Sequence, residues 1–437
     1  MAFCFLMTIG TTLSGAALHY IRQGANGANN GTDWTNAYTD LPAVLIRGDT
    51  YYLAMGNYSS PTFNDLENGS QYITIKKAVA ADHGTDVGWN DAYGAGKASF
   101  PGIYFSTGYW VFDGVTGTNR NGYGFEVYST EAATTSADLV VLEGSISNIS
   151  IKHTEIRRPS RNYYAAGIYG VSSPSNLTIS DCYIHDLWGP NIYIIGSNNV
   201  LMERCYLERN NSSEAWHSEG IQARGVTNMI IRYCWFEDIL GTGFIVSGSG
   251  HSRNWEIYGN VFNGGSGGGP VLDNFNDSIS GVRFYNNTVY NATGNGGIHF
   301  YNSAGNNRVY NNLWYNIEWM SFDGVDEDYN YFSNAHFPCA VTTLASHDSP
   351  LVPEIIGGNC GNRSVDSADP FRDVSRGDYH LQTPFSGYPG LALPSPYNVD
   401  YEGSLRGSDG VWDRGAFEYG GSTHTTLPSS PKNLRIR

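Results

Sequence analysis

I-S-D-C-Y-I from Ile179, M-E-R-C-Y-L from Met202 and I-R-Y-C-W-F from Ile231 are three copies of one phrase, and that phrase decides the fold. I-K-H-T-E-I from Ile151 precedes them; I-Y-G-N-V-F from Ile257, F-Y-N-N-T-V from Phe284 and V-Y-N-N-L-W from Val309 follow. The fourth position reads Thr154, Cys182, Cys205, Cys234, Asn260, Asn287, Asn312, with successive spacings of 28, 23, 29, 26, 27 and 25 residues. A repeat in the range of roughly 20–50 residues signals a solenoid, in which each unit buries its apolar side only by stacking on its neighbours.

Each phrase alternates apolar and polar residues, a period of two that indicates strand. A second strand follows each: G-I-Y-G-V from Gly167, N-I-Y-I-I from Asn191, G-I-Q-A-R from Gly220, G-F-I-V-S from Gly243, P-V-L-D-N from Pro270 and G-I-H-F-Y from Gly297. Short strands joined by Gly/Asn/Ser turns, without helical periodicity, describe an all-β, right-handed parallel β-helix. The Cys and Asn of position four then stack as internal ladders about 4.8 Å apart. A buried amide is tolerable there because it donates to one neighbour and accepts from the other.

The chain has 437 residues with 53 Gly, 31 Tyr and only 15% charged residues, which suits a turn-rich, aromatic-faced β protein. Its formal net charge of −16 disfavours nucleic acid and anionic membrane surfaces as partners. No stretch is long enough to cross a bilayer as a helix. Cys182, Cys205 and Cys234 read as stacked free thiols, whereas a disulfide between Cys339 and Cys360 would imply an oxidising compartment. Residues 1–17 read as a secretion signal that lacks a basic n-region. Residues 18–419 follow as one β-helix domain, with regular coils over about 146–335 and a C-terminal cap over about 336–419. Residues 420–437, rich in Gly, Ser, Thr and Pro, read as a flexible tail. An amphipathic stretch around Trp34–Leu45 predicts an N-terminal helix that caps the open end of the core.

The repeat resembles the I-x-x-N-x-Φ coil of the secreted parallel β-helix superfamily. That group houses pectate lyases, alginate and chondroitin lyases, polygalacturonase-type hydrolases and phage tailspikes. The likeness implies the fold over nearly the whole chain and a carbohydrate-active, extracellular protein. It does not choose an activity. The N-T-D, D-D and G-H-G carboxylate motifs of the polygalacturonase type and the D-P-H motif of alginate epimerases are absent from this sequence.

Function on a β-helix lies on its variable connections. The longest spacing encloses Glu208–Arg224, with Trp216, His217, Glu219 and Arg224 close together. Trp offers a flat face to a sugar ring, and His or Glu can move a proton. Neighbouring coils add His185 and Trp188 on one side and Glu237 and Asp238 on the other. In register, Arg157, His185, Glu208 and Glu237 form one row. Arg158, Asp186, Arg209 and Asp238 form a second row, whose alternating sign reads as a salt-bridge ladder. Glu203 and Arg232 read as a simple pair, and Tyr258, Tyr285 and Tyr310 as an aromatic ladder. Alternation counted from Val271 points Asp273 inward, where a carboxylate is costly without a partner. Either it is a hydrogen-bonded buried acid, or the register breaks at Pro270 and exposes it. His299 faces outward and can line the same groove as Gln222 and Arg224. The run D-G-V-D-E-D-Y-N from Asp323 offers carboxylates to Ca²⁺ but lacks a clear ligand spacing and reads as a solvated turn. No cofactor is otherwise required.

These residues admit three functions on a polysaccharide partner. A glycoside hydrolase would use Glu219 with Asp238 or Asp273 as paired carboxyls, and is slightly favoured. A polysaccharide lyase would use His217 as base and Arg224 as neutraliser of a uronate. A non-catalytic adhesin or tailspike-like binder would rely on its aromatic residues alone. Trp216, Trp188, His185, Glu208 and His299 are the candidate substrate contacts in each case.

Overall fold

The computed structural model describes residues 16–421 except 130–137, 160–163, 211–217, 240–242, 265–269, 276, 293–296, 301–304, 319, 321, 323–324, 339–340, 342–343 and 357–358; at 352, 354–356 and 359–360 only the backbone is described. Three long sheets run the length of the molecule. One coil shows the pattern: Ser175–Ser180 lies in sheet A, Tyr183–Leu187 in sheet B, Ile192–Ile195 in sheet C, and Asn198–Glu203 returns to sheet A. Through the coils each strand pairs in parallel with its equivalent one coil away, for example Ile151 with Ile179 and Ile179 with Met202.

The corners explain why these residues turn where they do. The residue before each ladder position adopts a left-handed backbone: Asp181, Arg204, Tyr233 and Asn286 have φ of 52°, 51°, 54° and 54°. A second left-handed series, Asn148, Asn176, Asn199, Asn228 and Asn254, opens the sheet A strands. Asn is among the side chains that tolerate this conformation best. Their amides also link in a row, from Asn176 to Asn148 at 3.2 Å up to Asn254 to Asn228 at 3.1 Å.

Inside, the ladder forms as the spacing predicts. The Cys205 N–H donates to Cys234 Sγ at 3.5 Å, and Cys234 N–H to Asn260 Oδ1 at 2.9 Å. Asn260 donates to Asn287 at 3.0 Å and Asn287 to Asn312 at 3.1 Å. Cys182, Cys205 and Cys234 are buried free thiols. The ladder runs further than the seven phrases: Asn312 N–H donates to Asn330 and Asn330 N–H to Asp348, each 18 residues on. These last steps are short because the described sheet C ends at Ile298–His299. Ile149, Ile151, Ile156, Ile168, Ile179 and Ile184 fill the mid-core at 0–1% exposure. Each contributes about 1.5–3 kcal/mol.

The expected N-terminal capping helix is not present. Among the described residues the helical elements are two single 3₁₀ turns, Asp91–Tyr93 and Val374–Arg376. Residues 31–48 are irregular because Asp33 accepts from the Asn36 N–H at 2.8 Å, an Asx turn that competes with helix. Trp34 is fully buried against Tyr20 and Trp89. The segment nevertheless covers the core, against which Tyr38, Leu41 and Leu45 pack.

At the other end, Leu351–Ile356 and Asn359–Ser364 form an antiparallel pair that joins the sheet B strand Tyr331–Pro338 and ends the parallel stack. The chain then runs back along the outside. Phe371, Tyr379, Leu381, Phe385 and Phe417 pack onto Tyr183, Tyr206 and Trp235 of sheet B. Tyr397 covers Tyr258 and Tyr285, so these two members of the aromatic ladder are buried, while Tyr310 is half-buried. Beneath the same covering, Glu203 and Arg232 form a buried pair at 2.5 Å.

Candidate functional site

Sheet C presents one side chain per coil to the outside. Tyr169 is in register with Tyr193, Tyr193 with Gln222, Gln222 with Val246, Val246 with Asp273 and Asp273 with His299. Coil spacing sets these groups about 4.8 Å apart in one row, in which Tyr169, Tyr193, Asp273 and His299 are half-buried and Gln222 and Val246 are buried. A parallel column, two residues on in each strand, holds Ile195, Arg224 and Gly248, and one step further Phe275.

Asp273 faces outward, which corrects the inward placement counted from Val271. Leu272, not Val271, is the paired inward residue, matched to Ile245 and Ile298. Val271 is also buried, but at the corner before the strand, so alternation counted from it is off by one. On the floor Asp273 is half-buried beside Val246, and its Oδ1 is buried without a hydrogen-bond partner among the described residues. Burial pushes its carboxyl up to about 6, although the backbone N–H groups of Phe275 and Asn274 pull it back.

Arg224 supplies the positive charge. Its guanidinium carbon sits 5.4 Å from the Tyr193 ring centre, and its buried Nε has no hydrogen-bond partner among the described residues. The side chain passes over Gly248, where a Cβ would come within 2.6 Å of Cγ and 2.7 Å of Nε. Glycine at 248 is therefore what lets Arg224 lie along the floor. Phe275, 60% exposed, stands at the rim beyond it. At the near edge Glu219 is fully buried, and its backbone carbonyl accepts from Asn191 N–H at 3.1 Å and Asn210 Nδ2 at 2.7 Å. Burial first, then the charge of Glu219, raises the phenol of Tyr164, which places Glu219, Tyr164 and Tyr193 in one electrostatic neighbourhood.

The remaining candidates divide between places. Trp216 and His217 lie outside the described residues. Trp188 is half-buried in the short link between sheets B and C. His185, Glu208 and Asp238 belong to strands of sheet B, a different face from Arg224, Asp273 and His299. There His185 bridges Glu155 at 3.1 Å and Asp186 at 2.7 Å while stacking on Tyr183. Burial would raise Glu155, but His185 and Lys97 outweigh it and hold the carboxyl at about 2. Glu208, 1% exposed, accepts from Arg120 at 2.6 Å and Tyr183 at 2.5 Å. Arg209 pairs with Asp186 at 2.8 Å, as the sign alternation of that row predicts. Arg158 is instead buried near Asp138.

Asp323 is outside the described residues, but the rest of the acidic run is engaged. Asp326 accepts from Tyr310 at 2.8 Å, Asp328 meets His347 at 2.8 Å, and Glu327 accepts from Ala345 N–H at 3.1 Å. Among the described residues, no group of three or more His, Cys, Asp or Glu is arranged to hold a metal ion, and no helix is long and apolar enough to cross a membrane.

Sequence reasoning missed Tyr193, Tyr164 and Phe275. The first was visible in the aligned strands G-I-Y-G-V and N-I-Y-I-I, whose tyrosines share the outward position. The other two come from corners, which carry no period.

A family model described as the right handed beta helix region matches residues 101–279 and 142–314. The solved structure of pectate lyase Pel9A shares 16% identity over 93% of this chain and 97% of that chain, with a TM-score of 0.48. A GH136 lacto-N-biosidase from Eubacterium ramulus shares 10% over 73% of this chain and 63% of that chain, at 0.38. PfbA, a surface adhesin of Streptococcus pneumoniae, shares 12% over 76% and 87%, at 0.30. No curated protein matches the sequence. Residues 101–314 thus carry a right-handed β-helix region, and the three parallel sheets show that fold.

Proposed function

We propose that this chain is a secreted carbohydrate-active enzyme that cleaves a polysaccharide lying along the outer floor of sheet C, by glycoside hydrolysis. The observation that carries the reading is Asp273. Its carboxyl is held at about 6 by burial, and its Oδ1 has no hydrogen-bond partner among the described residues. An acid poised in this range keeps a proton to give to a leaving glycosidic oxygen near neutral pH. Glu219, two coils away or about 10 Å along the axis, is the proposed second carboxyl. Inverting hydrolases hold their carboxyls about 6.5–9.5 Å apart, a gap that two side chains extending toward each other span. Asp238 is the weaker partner because its strand belongs to sheet B. Tyr193 and Phe275 provide ring faces for sugar, Arg224 and Gln222 polar contacts, and His299 the next position along the polymer.

A second reading is favoured by one observation: the unpartnered Nε of Arg224 on that floor suits a uronate carboxylate. A lyase would then remove the proton α to that carboxylate, with Arg224 stabilising the enolate. A polysaccharide panel, with and without EDTA, separates the readings. Reducing ends without ultraviolet-absorbing product mean hydrolysis; unsaturated product means elimination; binding without either removes the enzyme reading.

A further inference from the structure

We propose that a cleft on sheet B is a second saccharide site, distinct from the sheet C groove, that binds a short, uncharged, hydroxyl-rich oligosaccharide without cleaving it. Three distant parts of the chain build it: the turn Asn119–Asn121, the sheet B floor at Tyr206, Trp235 and Glu237, and the C-terminal segment at Ser375–His380 and Tyr401–Glu402. The cleft has a volume of about 660 Å³. Small-molecule sites occupy roughly 300–1,000 Å³.

Glu237 gives the cleft its polarity. Its Oε2 receives Arg120 Nη2 at 2.5 Å, Tyr206 OH at 2.7 Å and Trp235 Nε1 at 3.0 Å. The carboxylate is thereby fixed in place, and its side chain remains 25% exposed. Its other oxygen receives no hydrogen bond from the described residues and is an acceptor for a ligand hydroxyl. The rings beside it are packed on one another and line the cleft by their edges: Tyr206 and Trp235 stack at 5.6 Å, and Tyr379 meets Trp235 edge-on at 5.2 Å, with exposures of 7%, 9% and 2%. A fixed acceptor in a rigid wall of ring edges suits the hydroxyl-rich edge of a sugar.

Charge selects the class. Arg120 and Arg376 face Glu237, Asp378 and Glu402, two positive groups against three negative, with His380 held between Asp378 at 2.6 Å and Glu402 at 3.2 Å. The lining is acidic by one and Arg120 is already engaged by Glu208 and Glu237, so an anionic sugar is disfavoured. Here an acceptor awaits a hydroxyl donor; on sheet C it is the Nε of Arg224 that has no hydrogen-bond partner among the described residues.

The test is a glycan array of neutral mono- to tetrasaccharides with oligogalacturonates as the anionic arm, probed with the full chain, and calorimetry on the hits. A neutral oligosaccharide is expected to bind wild type and Asp273→Asn equally. Glu237→Gln should weaken it roughly tenfold, the value of one hydrogen bond to a charged acceptor, and leave cleavage at sheet C unchanged. If Glu237→Gln does not fold, Glu402→Gln serves in its place. Binding of anionic sugars alone, binding lost in Asp273→Asn but kept in Glu237→Gln, or no neutral sugar bound would each overturn the proposal.

Discussion

Sheets B and C are built from the same coils, yet their outer faces treat charge in opposite ways. On sheet B, Lys97, Glu126, Glu155, Arg157, His185, Asp186, Glu208 and Arg209 are joined by ion pairs from coil to coil. On sheet C, Arg224 and Asp273 each carry a buried polar atom with no hydrogen-bond partner among the described residues. Burying an unsatisfied polar group costs free energy, so a fold retains one where something else will satisfy it. The difference sets mutually satisfied charge against unmet hydrogen-bonding capacity, and the proposed catalytic row rests on the second.

The sharpest way to break the comparison is Asp273→Asn. The amide cannot act as an acid, so turnover should fall about 10³-fold, within the usual worth of general acid catalysis. The same change should stabilise the protein. A carboxyl raised from 3.8 to about 6 binds more protons folded than unfolded between those values. Stability therefore falls as pH rises through that window, and the full cost, about 1–3 kcal/mol, is present above pH 6. Thermal melts should show Asp273→Asn more stable than wild type at pH 7, with the gain vanishing near pH 4. A variant that loses stability at pH 7 would place Asp273 among structural acids.

Glu208→Ala tests the opposite face. Glu208 is 1% exposed and joins Arg120, Arg209 and Tyr183. Removing it leaves those donors undercompensated, at about 2–3 kcal/mol, softened because both arginines keep a second partner and reach solvent. Denaturant melts should show that loss while the folded enzyme turns over normally. A fall in turnover at unchanged stability would make sheet B the catalytic face.

How far these assignments were legible in the sequence depends on periodicity. The inward ladder from Thr154 to Asn312 was readable because the core demands the same choice at every coil. Asn330 and Asp348 continue that ladder at steps of 18 residues, a spacing that no longer matches the repeat. The corners carry no such demand. Arg204 and Tyr233 hold left-handed turns usually given to Asn, and nothing in residue type announces them. The capping helix failed for a related reason: an apolar pattern around Trp34 reflects burial in an aromatic cluster, while Asp33 and Asn36 form a turn. On sheet C, Arg224 and His299 were placed outward from alternation, whereas Asp273 was displaced one step by a buried corner residue. Partner satisfaction, the property that separates the two faces, depends on neighbouring coils and is not visible in one strand.

Gly248 gives the subtlest test, because it alters the site without touching a charged group. Every other strand in that column brings a side chain where Gly248 brings none, and Arg224 occupies the vacancy. In Gly248→Ala the new methyl would lie within 3 Å of Arg224 Cγ, Nε and Cδ, so the arginine must swing off the floor. The far end of a flexible side chain moves cheaply, so the melting temperature should barely change. If Arg224 holds substrate, KM should rise about tenfold, the loss of roughly one charge-assisted hydrogen bond, with kcat nearly intact. If Arg224 instead stabilises charge that develops in an elimination, kcat should fall and KM hold. Unchanged kinetics would mean that its unmet Nε has no substrate to meet, and the contrast between the two faces would then rest on Asp273 alone.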